Sequence, residues 1–182
     1  EAFCCAKSLA EVNRLRVNLF PWACSSAAMP QQFFAESKID SSATTIASIR
    51  PNTYNQIKAS SIAAYPLDQV FAERAEHGFI LKIDVEGGEN EVLRGSQGLL
   101  IGKRPLVMCE VLNAHRRSEF AINNWMKKEL ESILTDASYK IYRIKLNMHD
   151  REEFVGIDPI EAFPRNILWK GSSHQCDYVF LP

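Results

Sequence analysis

The chain lacks an excess of either charge: 21 Lys and Arg stand against 22 Asp and Glu, for a formal net charge of -1. That balance removes the clustered Lys and Arg by which proteins hold nucleic acid or anionic membranes, so neither partner is expected. The basic pairs Lys103-Arg104, Arg116-Arg117 and Lys127-Lys128 are scattered and read as solvated helix ends or loops. Long apolar runs are missing too. Lys103 and Arg104 break the most hydrophobic stretch, 99–112, far short of the roughly 18 residues a membrane span requires. The five cysteines are odd in number and without CxxC spacing, which excludes a zinc ribbon or a disulfide framework and points to a reducing, cytoplasmic compartment. The eight glycines form neither GxGxxG nor GxxxxGK[ST], so no phosphate cradle and no dinucleotide is expected. Repeats and low-complexity tracts are absent. The chain opens on Glu1 with no charged-then-apolar leader, and a segment upstream of it is expected.

What is present describes an ordinary globular protein: 182 residues, 46% of them hydrophobic, long enough for one domain over 1–182 with a core of its own. Residues 1–15 carry Phe3, Ala6, Leu9, Ala10 and Val12 at helical spacing. Residues 17–20 alternate and stop at Pro21, the pattern of a strand, and 31–35 suggest another. The Ser/Thr/Asn-rich stretch 36–61 reads as a long loop with short strand pieces. Asp68 is placed to cap a short helix over 69–76 that Gly78 stops. Residues 79–85 form an apolar run that reads as a buried central strand, 90–100 as a broken helix, and 105–111 as a second buried strand. A crossover of that length makes the two strands a parallel, right-handed β-α-β pair. Ser118 is the expected N-cap of a helix reaching Thr135, with Ile122, Trp125, Met126, Leu130, Ile133 and Leu134 as its core face. A strand over 139–144, a polar loop over 145–165 with a helical turn, and a last strand over 177–181 complete the reading.

Both buried strands end in a carboxylate, Asp84 and Glu110, and parallel pairing would set them on one edge of the sheet, beyond which ligands of α/β sheets bind. With Glu86, Glu89 and Glu91 close behind, this mouth is acidic and suits a cationic ligand, because attraction strengthens in a partly dry site. S-adenosylmethionine, with its sulfonium and ammonium, is such a ligand. Asp84 could stabilise the sulfonium or accept the proton of an attacking hydroxyl; its structural alternative is a cap on the helix that follows. Glu86 could orient substrate or coordinate a solvent cation with Asp84, or be a solvated loop acid. Glu89 and Glu91 face a helix N-terminus and read as dipole compensation. Gly87 and Gly88 permit a tight turn. Glu110 is a candidate for substrate hydroxyls, and His115 a general base or a surface histidine. Cys109 reads as a small apolar group inside its strand.

The run Ile80-Leu81-Lys82-Ile83-Asp84-Val85-Glu86-Gly87-Gly88-Glu89, the Glu91-Val92-Leu93-Arg94-Gly95 behind it and Pro105-Leu106-Val107-Met108-Cys109-Glu110-Val111 resemble the FkbM-like S-adenosylmethionine-dependent methyltransferases. Pro66-Leu67-Asp68, similar to that family's Thr-Leu-Asp step, Glu1-Ala2-Phe3 at the head of the first helix and Ala23 extend the resemblance over residues 1–110. It implies a Rossmann-like class I methyltransferase sheet, doubly wound, S-adenosylmethionine as cofactor, and a hydroxyl on a sugar or natural-product-like small molecule as acceptor. It places Ala23 and Ser25 in the loop that would contact adenine.

The family's domains open with a strand, an Asp-Val-Gly-Ala-Asn-x-Gly turn and a second strand ending in an acid for the ribose. This chain has neither, and so resembles the carboxyl-terminal part of such a domain without its first strands. Two readings follow: an enzyme, or a truncated α/β fragment that does not bind the cofactor. A metal-dependent hydrolase on Asp84, Glu86 and Glu110 would lack a histidine pair at ligand spacing, and no metal is expected. Without a first strand, 79–85 keeps an unpaired edge, which is costly if buried. Residues 17–20 are expected to pair there, or a second copy to cover the edge in a homo-oligomer, or the fragment to be soft at that point.

Overall fold

The structure, a computed structural model, describes residues 2–35, 58–74, 78–147, 153–169 and 176–182. Helix α1 (Ala2–Val12) comes first, followed by strands β1 (Ala23–Cys24), β2 (Met29–Ala35) and β3 (Lys58–Tyr65), then helix α2 (Leu67–Phe71). Strand β4 (Ile80–Ile83), helices α3 (Glu89–Arg94) and α4 (Gln97–Gly102) and strand β5 (Leu106–Glu110) form the β-α-β unit. Helix α5 (Phe120–Asp136) and strands β6 (Lys140–Asn147), β7 (Glu153–Ile160) and β8 (Asp177–Leu181) complete a mixed α/β protein. Most of the expected loop 36–61 lies outside the described residues, and its end belongs to β3.

Among the described residues two sheets form, one ordered β1-β3-β2 and one ordered β4-β5-β8-β6-β7. Strands β4 and β5 are parallel, with Ile83 opposite Cys109, as the length of their crossover requires. The last strand enters the middle of the sheet, antiparallel to both β5 and β6. Its three consecutive residues Tyr178, Val179 and Phe180 are all buried, which requires cover on both faces of the sheet at that strand. Phe163 packs edge-on against Tyr178 and Phe180, and Leu93, Leu100, Val107 and Leu134 fill the rest of this core.

Several expectations are corrected. Residues 17–20 are not a strand; Val17, Leu19 and Phe20 are exposed, and Phe20 packs on Trp22 and Phe71 instead of on the large sheet. The expected central strand β4 is an edge strand, because among the described residues it pairs only with β5, and Ile80 is 62% exposed. The polar stretch 145–165 contains β7, which pairs with β6 through a register shift after Lys145. Its exposed, weakly patterned residues concealed it, since an outer strand need not bury a face. Ser118 sits inside a 3-10 turn (Arg117–Glu119), and the N–H groups of His115 and Arg116 are met by the Glu119 carboxylate at 2.8 and 3.2 Å.

Asp68 caps a helix other than the expected one. Helix α2 begins before it, and its carboxylate instead accepts the N–H groups of Gly98 and Leu99 at 2.7 and 2.8 Å, capping α4 across 30 residues of chain. Its own N–H donates to the Gly95 carbonyl. A Cβ on Gly95 would lie 2.1 Å from the Ser25 carbonyl oxygen, so only glycine permits the loop after β1 to close on the end of α3. Asp68, Gly95 and Ser25 thus meet at one junction that ties the two sheets' flanks together.

Candidate active site

The parallel pairing of β4 and β5 sets Asp84 beside Glu110, and the antiparallel β8 brings Asp177 opposite Glu110. Three neighbouring strands therefore present three carboxylates along one edge. Asp84 and Glu110 share a side-chain hydrogen bond; burial, then that bond and the nearby charge of Asp84, push the Glu110 carboxyl up to about 7. Burial and the neighbouring carboxylate together favour the protonated form of Glu110. Asp84 also meets Lys82 at 3.2 Å, both side chains about half exposed.

Immediately after Asp84 the chain turns sharply. Glu86 and Gly87 have φ of 52° and 101°, and the second value is one that only glycine adopts without strain. Gly88, with φ of -93°, is ordinary backbone, so the turn depends on one glycine of the two. The turn drops Glu89 into the interior at 3% exposure, where its carboxylate accepts the Gly87 N–H at 2.9 Å. Burial pushes this carboxyl up to about 7, and the negative charges of Glu86 and Asp84 add to the shift. Glu89 stands in the first turn of α3 and meets backbone N–H groups there, as expected, and it is in addition buried.

Glu89 lines a cleft between α3 and α5, with Asn113, His115, Asn123 and Lys127 on its other walls and about 40 Å³ of free volume. Asn90 donates to the Met126 carbonyl at 3.0 Å and to Glu129 at 2.7 Å, and Arg94 pairs with Glu129, so α3 is pinned to α5 along one wall. Lys127, read from the sequence as solvated, is 1% exposed. Its Nζ donates to Asn113 Oδ1 at 2.7 Å and to the Pro164 carbonyl at 3.0 Å, and burial lowers its pKa to about 8. The Asn123 side-chain N–H donates to the Leu112 carbonyl at 2.9 Å, while its buried Oδ1 has no hydrogen-bond partner among the described residues.

The structure thus brings Asp84, Glu86 and Glu110 to one place, and puts His115 at the cleft with its ring 5.2 Å from that of Trp169. Ala23 and Ser25 sit elsewhere: Ala23 pairs with Ala64 in the small sheet, and Ser25 is buried, with its Oγ accepting from the Gln31 amide at 2.5 Å. Ser25 touches α3 at its carboxyl end, whereas the carboxylates gather at its amino end. Among the described residues, no cluster of three His, Cys, Asp or Glu side chains has the geometry to hold a metal ion. No helix among them is long and apolar enough to cross a membrane.

Sequence reasoning missed Glu89 as a buried acid, Lys127, Asn123 and Asp177. A signal existed for two of these: Asn123, Lys127, Leu130 and Leu134 recur at helical spacing on one face of α5, and Leu130 and Leu134 are fully buried. Of the expected core face Leu130, Ile133 and Leu134 are buried, whereas Ile122 and Trp125 are exposed.

Residues 13–141 match the family model described as the methyltransferase FkbM domain. No curated protein and no solved structure matches the chain.

Proposed function

Because the chain belongs to the FkbM methyltransferase domain family, we propose that it is an S-adenosylmethionine-dependent methyltransferase acting on a hydroxyl of a sugar or natural-product-like small molecule. The observation that carries this reading is the hydrogen-bonded pair Asp84 and Glu110 at the carboxyl edge of parallel strands, with Asp177 beside them. The donor set fits the cationic end of the cofactor: carboxylates at a half-open edge stabilise a sulfonium and an ammonium without a counter-anion having to be buried. The cofactor, when bound, supplies a methyl group activated for in-line displacement. Asp84 and Glu110 hold that charge, Glu86 orients the acceptor, and His115 or the Asp84 carboxylate takes the hydroxyl proton. Ala23 and Ser25 remain the proposed adenine side, through the backbone of their loop, since the Ser25 side chain is already engaged.

In this reading the chain is one methyltransferase-like domain with a Rossmann-like, doubly wound sheet, working in the cytoplasm on a small molecule. Its five cysteines, all free thiols, accord with a reducing compartment. The open side of β4 is the edge at which a second copy would add a strand. The same open side favours a second reading, an α/β body that does not bind the cofactor alone.

Titration of S-adenosylmethionine into this chain and into an amino-extended form separates the two, with binding by the extended form expected under both. Binding by the short form supports the first reading, and binding by the extended form alone supports the second. In the extended form Asp84→Asn is expected to reduce methyl transfer by about 10²-fold or more, the scale of one lost electrostatic contact in a transition state. Thermal stability should change little, because Asp84 is half exposed. Equal loss of transfer and stability would return Asp84 to a capping role.

A further inference from the structure

We propose that Glu89 is a positioning residue for the carboxylate edge: it holds the Glu86-Gly87 turn closed through the Gly87 N–H, and that turn fixes where Asp84 meets Glu110. This rests on the reading of Asp84, Glu86 and Glu110 as the methyl-transfer edge, and it names the buried group behind them that sets their geometry. Strand β4 ends at Ile83, opposite Cys109, so Asp84 stands one residue beyond the last registered pair of the parallel ladder. The backbone of Glu86 is left-handed without being glycine, a conformation that persists only where its surroundings hold it. The Gly87 N–H, one residue on, donates to Glu89 Oε1 at 2.9 Å in the interior, where the low dielectric strengthens the bond.

The helix that carries Glu89 makes it a firm anchor. Asn90 and Arg94 pin α3 to α5 through the Met126 carbonyl and Glu129. The Val92 N–H donates to the Gly88 carbonyl at 3.1 Å, so α3 starts at the turn itself. Position therefore passes from α5 to α3, from Glu89 to Gly87, and from the turn to Asp84. Other holds on Asp84 are weaker in kind. Lys82 pairs with it between side chains that are both about half exposed, where water screens the charge. Val85 packs against the core, but apolar contact is non-directional, whereas a hydrogen bond fixes the orientation of the turn. A carboxyl oxygen accepts the Gly87 N–H whether or not the group is protonated, so the role needs the acceptor and not the charge. Glutamine keeps that acceptor; leucine fills the buried site and removes it.

The test is carbon-13 NMR of the Asp and Glu carboxyl carbons, with hydrogen exchange at Gly87, on the chain without cofactor. In the parent the Glu110 carboxyl should titrate near 7, and the Gly87 amide signal should follow the titration of Glu89. Glu89→Gln should leave the Glu110 midpoint and the exchange rate of Gly87 in place. Glu89→Leu should bring the Glu110 midpoint down to about 6 and speed exchange at Gly87 about tenfold, each the worth of one lost hydrogen bond. Both variants remove the charge of Glu89, so a fall confined to leucine reports the turn. If leucine does not fold, Glu89→Met, unbranched and adaptable, takes its place. A residue that only supports the helix would lower the melting temperature of the leucine variant and leave the Glu110 midpoint where it was. That result overturns the proposal, as does a Gly87 amide in the parent that ignores the titration of Glu89, or a glutamine variant that behaves like leucine. In an amino-extended form that transfers methyl groups, Glu89→Leu should lower kcat about tenfold with KM unchanged, and an unchanged kcat overturns the positioning role. An extended form that fails to bind S-adenosylmethionine overturns the methyltransferase reading, while a Glu110 midpoint that falls only in the leucine variant leaves the hold of Glu89 on the edge standing.

Discussion

Asp84 and Glu89 are five residues apart, on either side of one tight turn, yet they occupy different electrostatic worlds. At the sheet edge Asp84 is half exposed, paired with Lys82 and hydrogen-bonded to Glu110, so water and neighbours share its charge. In the cleft Glu89 is enclosed, and burial pushes its carboxyl up to about 7 even though the backbone N–H groups of Gly87 and Glu89 favour the ionised form. The cleft also encloses an ammonium, Lys127, whose hydrogen bonds run to an amide and a carbonyl, both neutral acceptors. Proximity in sequence therefore says little about a carboxylate's chemistry. What matters is which side of Gly87 it falls on, because the left-handed turn there sends the chain from solvent into the core.

The largest effect that sharpens this contrast is expected in the cleft. Lys127→Ala should lower the free energy of unfolding by about 3 kcal/mol, since it removes buried methylenes and leaves Asn113 Oδ1 and the Pro164 carbonyl without their donor. Lys127→Met keeps the volume and removes the buried charge, so its cost should stay below about 1.5 kcal/mol. Urea denaturation of both variants measures the difference. A Met variant as damaged as Ala would mean that the ammonium, more than its packing, holds the wall together.

Next in size is a pH dependence. The Glu89 carboxyl titrates near 7 in the folded protein against its ordinary 4.5, so the folded state binds the extra proton between these values. Stability present below about pH 4.5 is then lost as pH rises through 7, by about 3 kcal/mol at full ionisation. Glu110 contributes with the same sign but less, being only partly buried. Lys127 acts in another window: its pKa is lowered from 10.5 to about 8, so its contribution rises with pH only between those values. Glu89→Gln should match the parent near pH 4 and exceed it near pH 8, flattening the profile in urea melts. An unchanged slope would show that Glu89 is not the group responsible.

The smallest effect belongs to the edge. Lys82→Ala removes an ion pair at 3.2 Å between side chains 47% and 54% exposed, and should change stability by less than about 1 kcal/mol. A larger loss in a thermal melt would show that the edge is less wet than its exposure indicates, and would erase the contrast with the cleft.

The sequence by itself determined the β-α-β unit: two apolar runs of strand length, separated by a crossover too long for a hairpin, can pair only in parallel with their carboxyl ends together. That argument delivered Asp84 and Glu110 to one edge, and the break between α3 and α4 was legible in the same stretch. The motif resemblance, drawn over residues 1–110, named the family whose model matches residues 13–141. The remaining features came from long-range packing. That β8 enters between β5 and β6, and so adds Asp177 to the edge, depends on contacts some 70 residues distant in sequence, as its register with β5 shows. That 17–20 stays outside the sheet, that Asp68 caps α4, and that Lys127 is buried by Asn113 and Pro164 all depend on partners supplied from afar. Periodicity reports which residues share a face of one element; whether that face meets water, a neighbouring helix or a cleft is set by where the other elements come to rest.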